Sequence, residues 1–341
     1  MTFSLSVGSK FACIAIEGVS VASSLEEPLD LGNGLWALDR PPFEVDDVWK
    51  QSLGSLQAED YSRSNLLLFA VGASERPQVP DDENKALEAT VNFLFYGLLL
   101  HGIPTLGHGL ILQGANETGA VDVRSISTLQ THFPHYDVIP ATVGAQALRG
   151  AAATGNGIGK IFEGVDGRSA PMGGPQDFRR LRRGFGALIR AIREQYWDSR
   201  LHQFVRSLDA LIMLKPGEGQ KKFAYRGQTF IGASEESYNL LRSLYILRNY
   251  TEHMNDWEPA LVECSDPIRT FSLRSFQAEI LAFDVYQRVL KDDALREHFR
   301  NDESITRFWD STDDKIREIW GAPVDLAQRV NKRYNPVHGW L

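Results

Sequence analysis

Between Leu240 and Trp257 the chain reads LLRSLYILRNYTEHMNDW. At about 100° of rotation per residue, Leu240, Leu244, Leu247, Thr251 and Met254 share one stripe, the pattern of a helix with a core-facing side. Arg242, Asn249 and His253 fall on the opposite side, within roughly 40° of each other, and Arg248 sits between the two faces. Ser234 to Glu236 supplies an N-terminal cap.

Upstream the pattern is mixed. FACIAIEGV (11–19) and NLLLFAVG (65–72) are short, apolar and bounded by turn residues, so both predict strands, and Leu110 to Leu112 suggests a third. Leu31 to Phe43 contains Gly32, Gly34, Pro41 and Pro42 and predicts a loop. Asp81, Asp82 and Glu83 open a helix with acids where the dipole favours them; it runs to about Leu100 and is apolar nearly all round after Val91. The glycines of HGIPTLGHG (101–109) read as turn punctuation. GNGIGK (155–160) has neither the glycine four residues before its Gly-Lys nor the following Ser or Thr of a phosphate loop, so it reads as a helix ending in a turn. RSAPMGGPQD (168–177) is the best linker.

Downstream of it the period is helical. Leu181, Phe185, Leu188 and Ile192, then Leu201, Val205, Leu208, Leu211 and Ile212, keep helical spacing. LKPGEGQKKF (214–223) interrupts it, Pro259 and Pro267 bound a connection, and Leu273 to Leu290 is amphipathic. A last helix covers Ile305 to Trp320 before an irregular tail. The chain thus predicts an α+β protein: a mixed α/β domain over 1–175, then an all-α domain over 176–341 with about four long helices, the Leu240–Trp257 helix third.

Composition narrows the classes. A net charge of -8 and a pI near 5.6 argue against a chain coated in nucleic acid, though not against a local basic patch. Cys13 and Cys264 are far apart and form no metal-spaced cluster, which fits a reduced setting and leaves a single disulfide between them open. The N-terminus lacks a basic region followed by a long apolar run, and no segment reaches the roughly 20 apolar residues of a membrane span. A cytoplasmic protein without membrane contact is expected.

The candidate chemistry is Arg248-Asn249-x-x-x-His253. Its bland reading is an Arg248–Glu252 surface pair and a histidine complementing the helix dipole. Arg179, Arg180, Arg182 and Arg183 form a basic cluster in an acidic chain, either a solvated helix start or a track for a phosphate backbone; Arg242, Lys221, Lys222 and Arg226 are possible additions. Tyr245 and Trp257 read first as core aromatics.

RLHQFVRSLDALIMLKPGEGQKKF (200–223), with its Leu208-Asp209-Ala210-Leu211 run, followed by LLRSLYILRNYTEH (240–253), resembles the Apea-like branch of the HEPN superfamily over about residues 178–295. Asp209 stands where the family more often has Glu. The resemblance implies a HEPN-type helical bundle and metal-independent endoribonuclease activity by paired domains, with no cofactor. His253 would transfer a proton, Arg248 would stabilise phosphate and Asn249 would orient; on the charge pattern, and not on the resemblance, Arg179, Arg180, Arg182, Arg183 and Arg242 are the substrate-binding candidates. Arg248 and His253 are roughly 140° apart around one helix, so a shared phosphate calls for two facing helices, hence a homodimer with a composite cleft. The implied context is a toxin or anti-phage effector acting on RNA, with an antitoxin or regulatory protein as a further partner. The alternatives are a non-catalytic HEPN module for dimerisation and nucleotide or protein binding, and a regulatory or structural protein whose helix carries these residues by accident.

Overall fold

Strand β1 (Ser9–Ala15) is the axis of the N-terminal unit. Its residues are buried along almost its whole length, so neighbours must cover both faces and both edges. The computed structural model describes residues 3, 5–16, 19–21, 28–77, 81–103, 108–119, 121–130, 141–165, 177–214, 219–261 and 264–333. It is an α+β structure in two compact units. The first comprises Met1–Thr131 and Asp137–Gly159, and the second takes in Lys160–Leu341. That split precedes the 168–177 stretch, most of which (168–176) lies outside the described residues.

In the first unit β1 is followed by β2 (Val19–Val21), β3 (Leu29–Gly32), β4 (Leu35–Leu38), α1 (Asp47–Leu53), α2 (Ser55–Arg63), β5 (Leu67–Ala73), α3 (Asp82–Leu100), β6 (His108–Asn116), β7 (Val121–Gln130), β8 (Ala141–Val143) and α4 (Ala145–Phe162). Six strands form an antiparallel sheet in the order β3-β4-β5-β1-β6-β7, and β2 pairs with β8 in a parallel two-stranded ribbon. Side chains alternate across the sheet. Phe11 and Cys13 pack with Phe69, Leu112, Trp49 of α1 and Tyr61 of α2 on one face. The other face meets α3. There Lys10, fully buried, is held by Asp81 at 2.8 Å and Glu83 at 3.0 Å. Those same acids start α3, and the Asp81 side chain accepts from the Glu83 N–H as its cap.

Two expectations are corrected here. Leu31 to Phe43 is not all loop, because Leu29–Gly32 and Leu35–Leu38 pair as a hairpin closed by Asn33 and Gly34, both at positive φ. The glycines of GNGIGK do not end a helix in a turn; they lie inside α4. A Cβ on Gly155 would crowd the backbone of Phe93 and Leu94, and one on Gly97 would strike the Ala151 carbonyl. Glycine here lets α3 and α4 approach backbone to backbone.

Among the described residues the second unit holds five long helices rather than four: α5 (Arg179–Arg193), α6 (Trp197–Ile212), α7 (Gly219–Ile231), α8 (Glu235–Glu252) and α9 (Pro267–Lys291). The Arg-Asn-x-x-x-His helix is therefore fourth. The single periodic run over 178–212 is split at Glu194–Tyr196 into α5 and α6, which pack on each other. Helix α6 also meets α8 and α9 and is the hub. Its Arg200 makes a buried ion pair with Glu279 of α9 at 2.8 Å. Ser234 caps α8 as expected, accepting from the Ser237 N–H. Asp266 caps α9, with Pro267 in its first turn, where a missing N–H costs nothing. The expected helix over 305–320 is two short ones, α11 (Asp302–Trp309) and α12 (Asp313–Trp320), preceded by α10 (Asp293–Glu297), and the tail adds α13 (Leu326–Arg333). Arg329 of α13 pairs with the buried Asp284 of α9. Among the described residues no helix is long and apolar enough to cross a membrane.

Candidate active site

The α8 stripe differs from the one expected. Leu241, Leu244, Tyr245 and Leu247 are buried, Leu240 and Thr251 only partly, and Met254 is 95% exposed. The reason is that α8 stops at Glu252, so Met254 is off the helix and its place in the period is lost. The helix ends in a left-handed cap: Met254 has φ 52°, its N–H donates to the Thr251 carbonyl at 3.1 Å, and the Asn255 N–H reaches the Tyr250 carbonyl at 2.9 Å. His253 is the C-cap residue, with its N–H bonded to the Asn249 carbonyl at 3.1 Å and its side chain exposed.

One turn back, α8 faces α6. Tyr245, Arg248 and Glu252 are spaced by three and four residues, as His202, Arg206 and Asp209 are on α6 in the opposite order, so each set forms one stripe. The stripes meet as a polar seam. Glu252 Oε2 accepts from His202 Nε2 at 2.7 Å and lies 3.1 Å from Arg248 Nη2. Arg248 Nη1 donates to Asn249 Oδ1 at 3.0 Å, and the guanidinium sits over the Tyr245 ring, 5.5 Å from its centroid. Its Nε is buried without a hydrogen-bond partner among the described residues. The Arg248–Glu252 pair anticipated from their spacing is therefore present, but as part of a larger network.

The electrostatics follow from burial and neighbours. Burial lowers the His202 imidazole, Arg248 and Arg206 add to this, and Glu252 opposes it without prevailing. The contact near pH 7 is thus a hydrogen bond from a neutral ring more than an ion pair, and since a carboxylate only accepts, Nε2 carries the proton. Burial would raise Glu252, but Arg248 and His202 outweigh it and hold the carboxyl below its ordinary range. Asp209 goes the other way: burial raises it despite the pull of Arg248, Arg180 and Arg206. Two carboxyls in one seam are pushed apart, the arrangement that separates an acid from a base.

The basic cluster divides. Arg182 Nη1 donates to the carbonyls of Ile161 at 2.8 Å and Asp177 at 2.6 Å, and Arg180 pairs with Asp302 at 3.2 Å. Arg179 and Arg183 are exposed and make no ion pair among the described residues, and Arg242 is likewise exposed on α8. Arg226 caps α6 by donating to the Ile212 carbonyl at 2.7 Å and lies over the Trp309 ring. Tyr245 packs on Phe223 and Trp257 on Phe271, as core aromatics do. Reading α8 alone overlooked His202 and Arg206; their spacing to Asp209 was visible, but not the helix they face. Among the described residues no group of three or more His, Cys, Asp or Glu could hold a metal ion.

Comparison of the chain with family models, with curated proteins and with solved structures gives no match.

Proposed function

We propose that the chain is a metal-independent endoribonuclease of HEPN type, acting in the cytoplasm as a homodimer on single-stranded RNA. The observation that supports this reading best is a preoriented guanidinium in the last turns of α8 and an exposed imidazole at its cap. Arg248 is fixed by Glu252, Asn249 and Tyr245, and His253 follows five residues later at the cap of α8. A guanidinium has five N–H donors. Glu252 and Asn249 take one N–H on each Nη and the Nε is buried, which leaves the second N–H of each Nη for a phosphate oxygen.

The chemistry needs no redox partner. The 2′-oxygen bonds to phosphorus as its proton leaves to a base, and the P–O5′ bond breaks as the 5′-oxygen takes a proton. The products are a 2′,3′-cyclic phosphate and a 5′-hydroxyl. His253 serves proton transfer, a role suited to imidazole near neutral pH. Arg248 answers the charge that builds on the phosphate, and Asn249 orients it. Facing copies of α8 bring Arg248 of one chain to His253 of the other. Arg179, Arg183 and Arg242 are the exposed cations available to the RNA backbone.

The test is cleavage of an end-labelled single-stranded RNA in EDTA. The wild type should give cyclic-phosphate ends, and His253→Ala should lose at least about a hundredfold in rate. The second reading, a non-catalytic HEPN module, is favoured by Arg248 and Asn249 already satisfying each other within the chain. It requires that the wild type leave the RNA intact.

A further inference from the structure

We infer that His202 is a positioning residue for the guanidinium of Arg248, acting through Glu252. The inference rests on the reading that Arg248 meets a phosphate. The geometry that carries it is one oxygen with two donors: Glu252 Oε2 is 2.7 Å from His202 Nε2 and 3.1 Å from Arg248 Nη2.

A glutamate at the last turn of a helix has several rotamers, and an exposed Glu–Arg pair at this spacing holds neither side chain firmly. Here the Glu252 side chain is 40% exposed, whereas those of Arg248 and His202 are 17% and 14% exposed. The carboxylate is thus the loosest member of the trio. A second donor from a different helix removes that freedom. His202 is carried by α6 and its ring is largely buried, so its N–H ties the α8 carboxylate to the hub helix, and the carboxylate in turn sets the plane of the guanidinium. Asn249 Oδ1 at 3.0 Å from Nη1 and the Tyr245 ring complete the frame. The other charged groups facing the trio are Arg206 and Asp209 of α6 and Arg180 of α5. None of these shares Oε2.

His202 does not touch the reacting atoms in this arrangement. Its loss should leave RNA affinity nearly unchanged and misalign the group that stabilises the transition state, lowering kcat by on the order of ten- to a hundredfold with KM little altered. A merely structural role would lower the folded fraction instead, so kcat is normalised to folded protein measured by near-ultraviolet circular dichroism.

The decisive readout is independent of activity. In a clamped guanidinium, rotation about the Cζ–Nε bond is slow and the two Nη groups give separate nitrogen signals. With a nitrogen-15-labelled full-length chain, and Arg248 assigned from Arg248→Lys, the wild type should show resolved Nη signals. His202→Leu, which has no donor, and Glu252→Ala should each collapse them, while His202→Gln, whose amide N–H can stand in for the ring Nε2–H, should keep them. His202→Leu should also cost nothing further in an Arg248→Lys background. Resolved Nη signals in folded His202→Leu would overturn the inference. Absence of RNA cleavage by the wild type would instead overturn the ribonuclease reading, and the Nη signals would still decide what His202 does.

Discussion

Arg248 and Glu252, one turn apart on α8, form an ion pair at 3.1 Å whose carboxylate oxygen is also bound by His202 of α6. An i,i+4 pair alone contributes a few tenths of a kcal/mol. The third partner makes it part of the contact between two helices, and it gives the seam a pH dependence.

His202 is lowered by burial, so the native state keeps it neutral at a pH where the unfolded chain protonates it, below its ordinary 6.5. More protons are then bound to the unfolded state, and stability rises with pH across that interval. The contribution is complete above pH 6.5 and is lost as pH falls through the lower native value. Urea denaturation of wild type and His202→Gln at steps between pH 5 and 8 should show a shallower slope for the variant. Equal slopes would mean that His202 titrates as it does in the unfolded chain.

Much of this architecture is written locally. Asp81 as the cap of α3, the apolar run of β1 and Ser234 before α8 each depend on neighbours in sequence; the two caps appear where expected, and the strand expected over 11–19 is found over Ser9–Ala15. What failed depends on distant partners. The glycines of α4 look like a flexible turn until Phe93 and Leu94 of α3 are found against Gly155. Gly32 and Gly34 looked like loop punctuation because the hairpin strands they join have only four residues each. In the candidate site, Arg248 was legible from its own helix. Its partner His202 lies 50 residues from Glu252, and nothing in the period of α6 says which helix it faces.

Two glycines of α5 should respond oppositely to alanine. A Cβ on Gly184 would strike the Tyr286 hydroxyl and lie 2.6 Å from the Ala210 Cβ, whereas one on Gly186 meets nothing within 4 Å. Gly186→Ala should stabilise by up to about 1 kcal/mol through helix propensity. Gly184→Ala should cost about 1–3 kcal/mol through overpacking. Tyr286→Phe removes the hydroxyl that donates to the Ser207 carbonyl at 2.8 Å, at a cost of about 1 kcal/mol. Combined with Gly184→Ala it should be less damaging than the sum, which a thermal denaturation cycle measures.

Met254 occupies a left-handed backbone conformation that suits glycine. Its side chain is almost fully exposed and contributes little packing. Met254→Gly should therefore raise stability by about 0.5–1 kcal/mol while keeping the cap that fixes His253. A loss of stability in urea denaturation would show that the methionine side chain has a contact in solution.

The arginines of α5 should separate by role. Arg179 and Arg183 are exposed, and Arg182 is spent on backbone carbonyls. The Arg179→Ala/Arg183→Ala double variant should bind a 2′-deoxy oligonucleotide more weakly at unchanged stability, with the salt slope reduced by about 0.7 per lost phosphate contact. Arg182→Ala should chiefly lower stability. Fluorescence anisotropy at several salt concentrations, beside thermal melts, distinguishes the two.

The most direct measurement mixes two inactive variants. In a composite site Arg248 of one chain serves with His253 of the other. An Arg248→Ala/His253→Ala heterodimer then has one empty site and one complete one. Random re-association of equal amounts should restore about a quarter of the wild-type RNA cleavage measured in EDTA. If the wild type cleaves RNA and the mixture does not, the two groups act within one chain and the composite site is wrong. If the wild type itself leaves RNA intact, the proposed activity is contradicted.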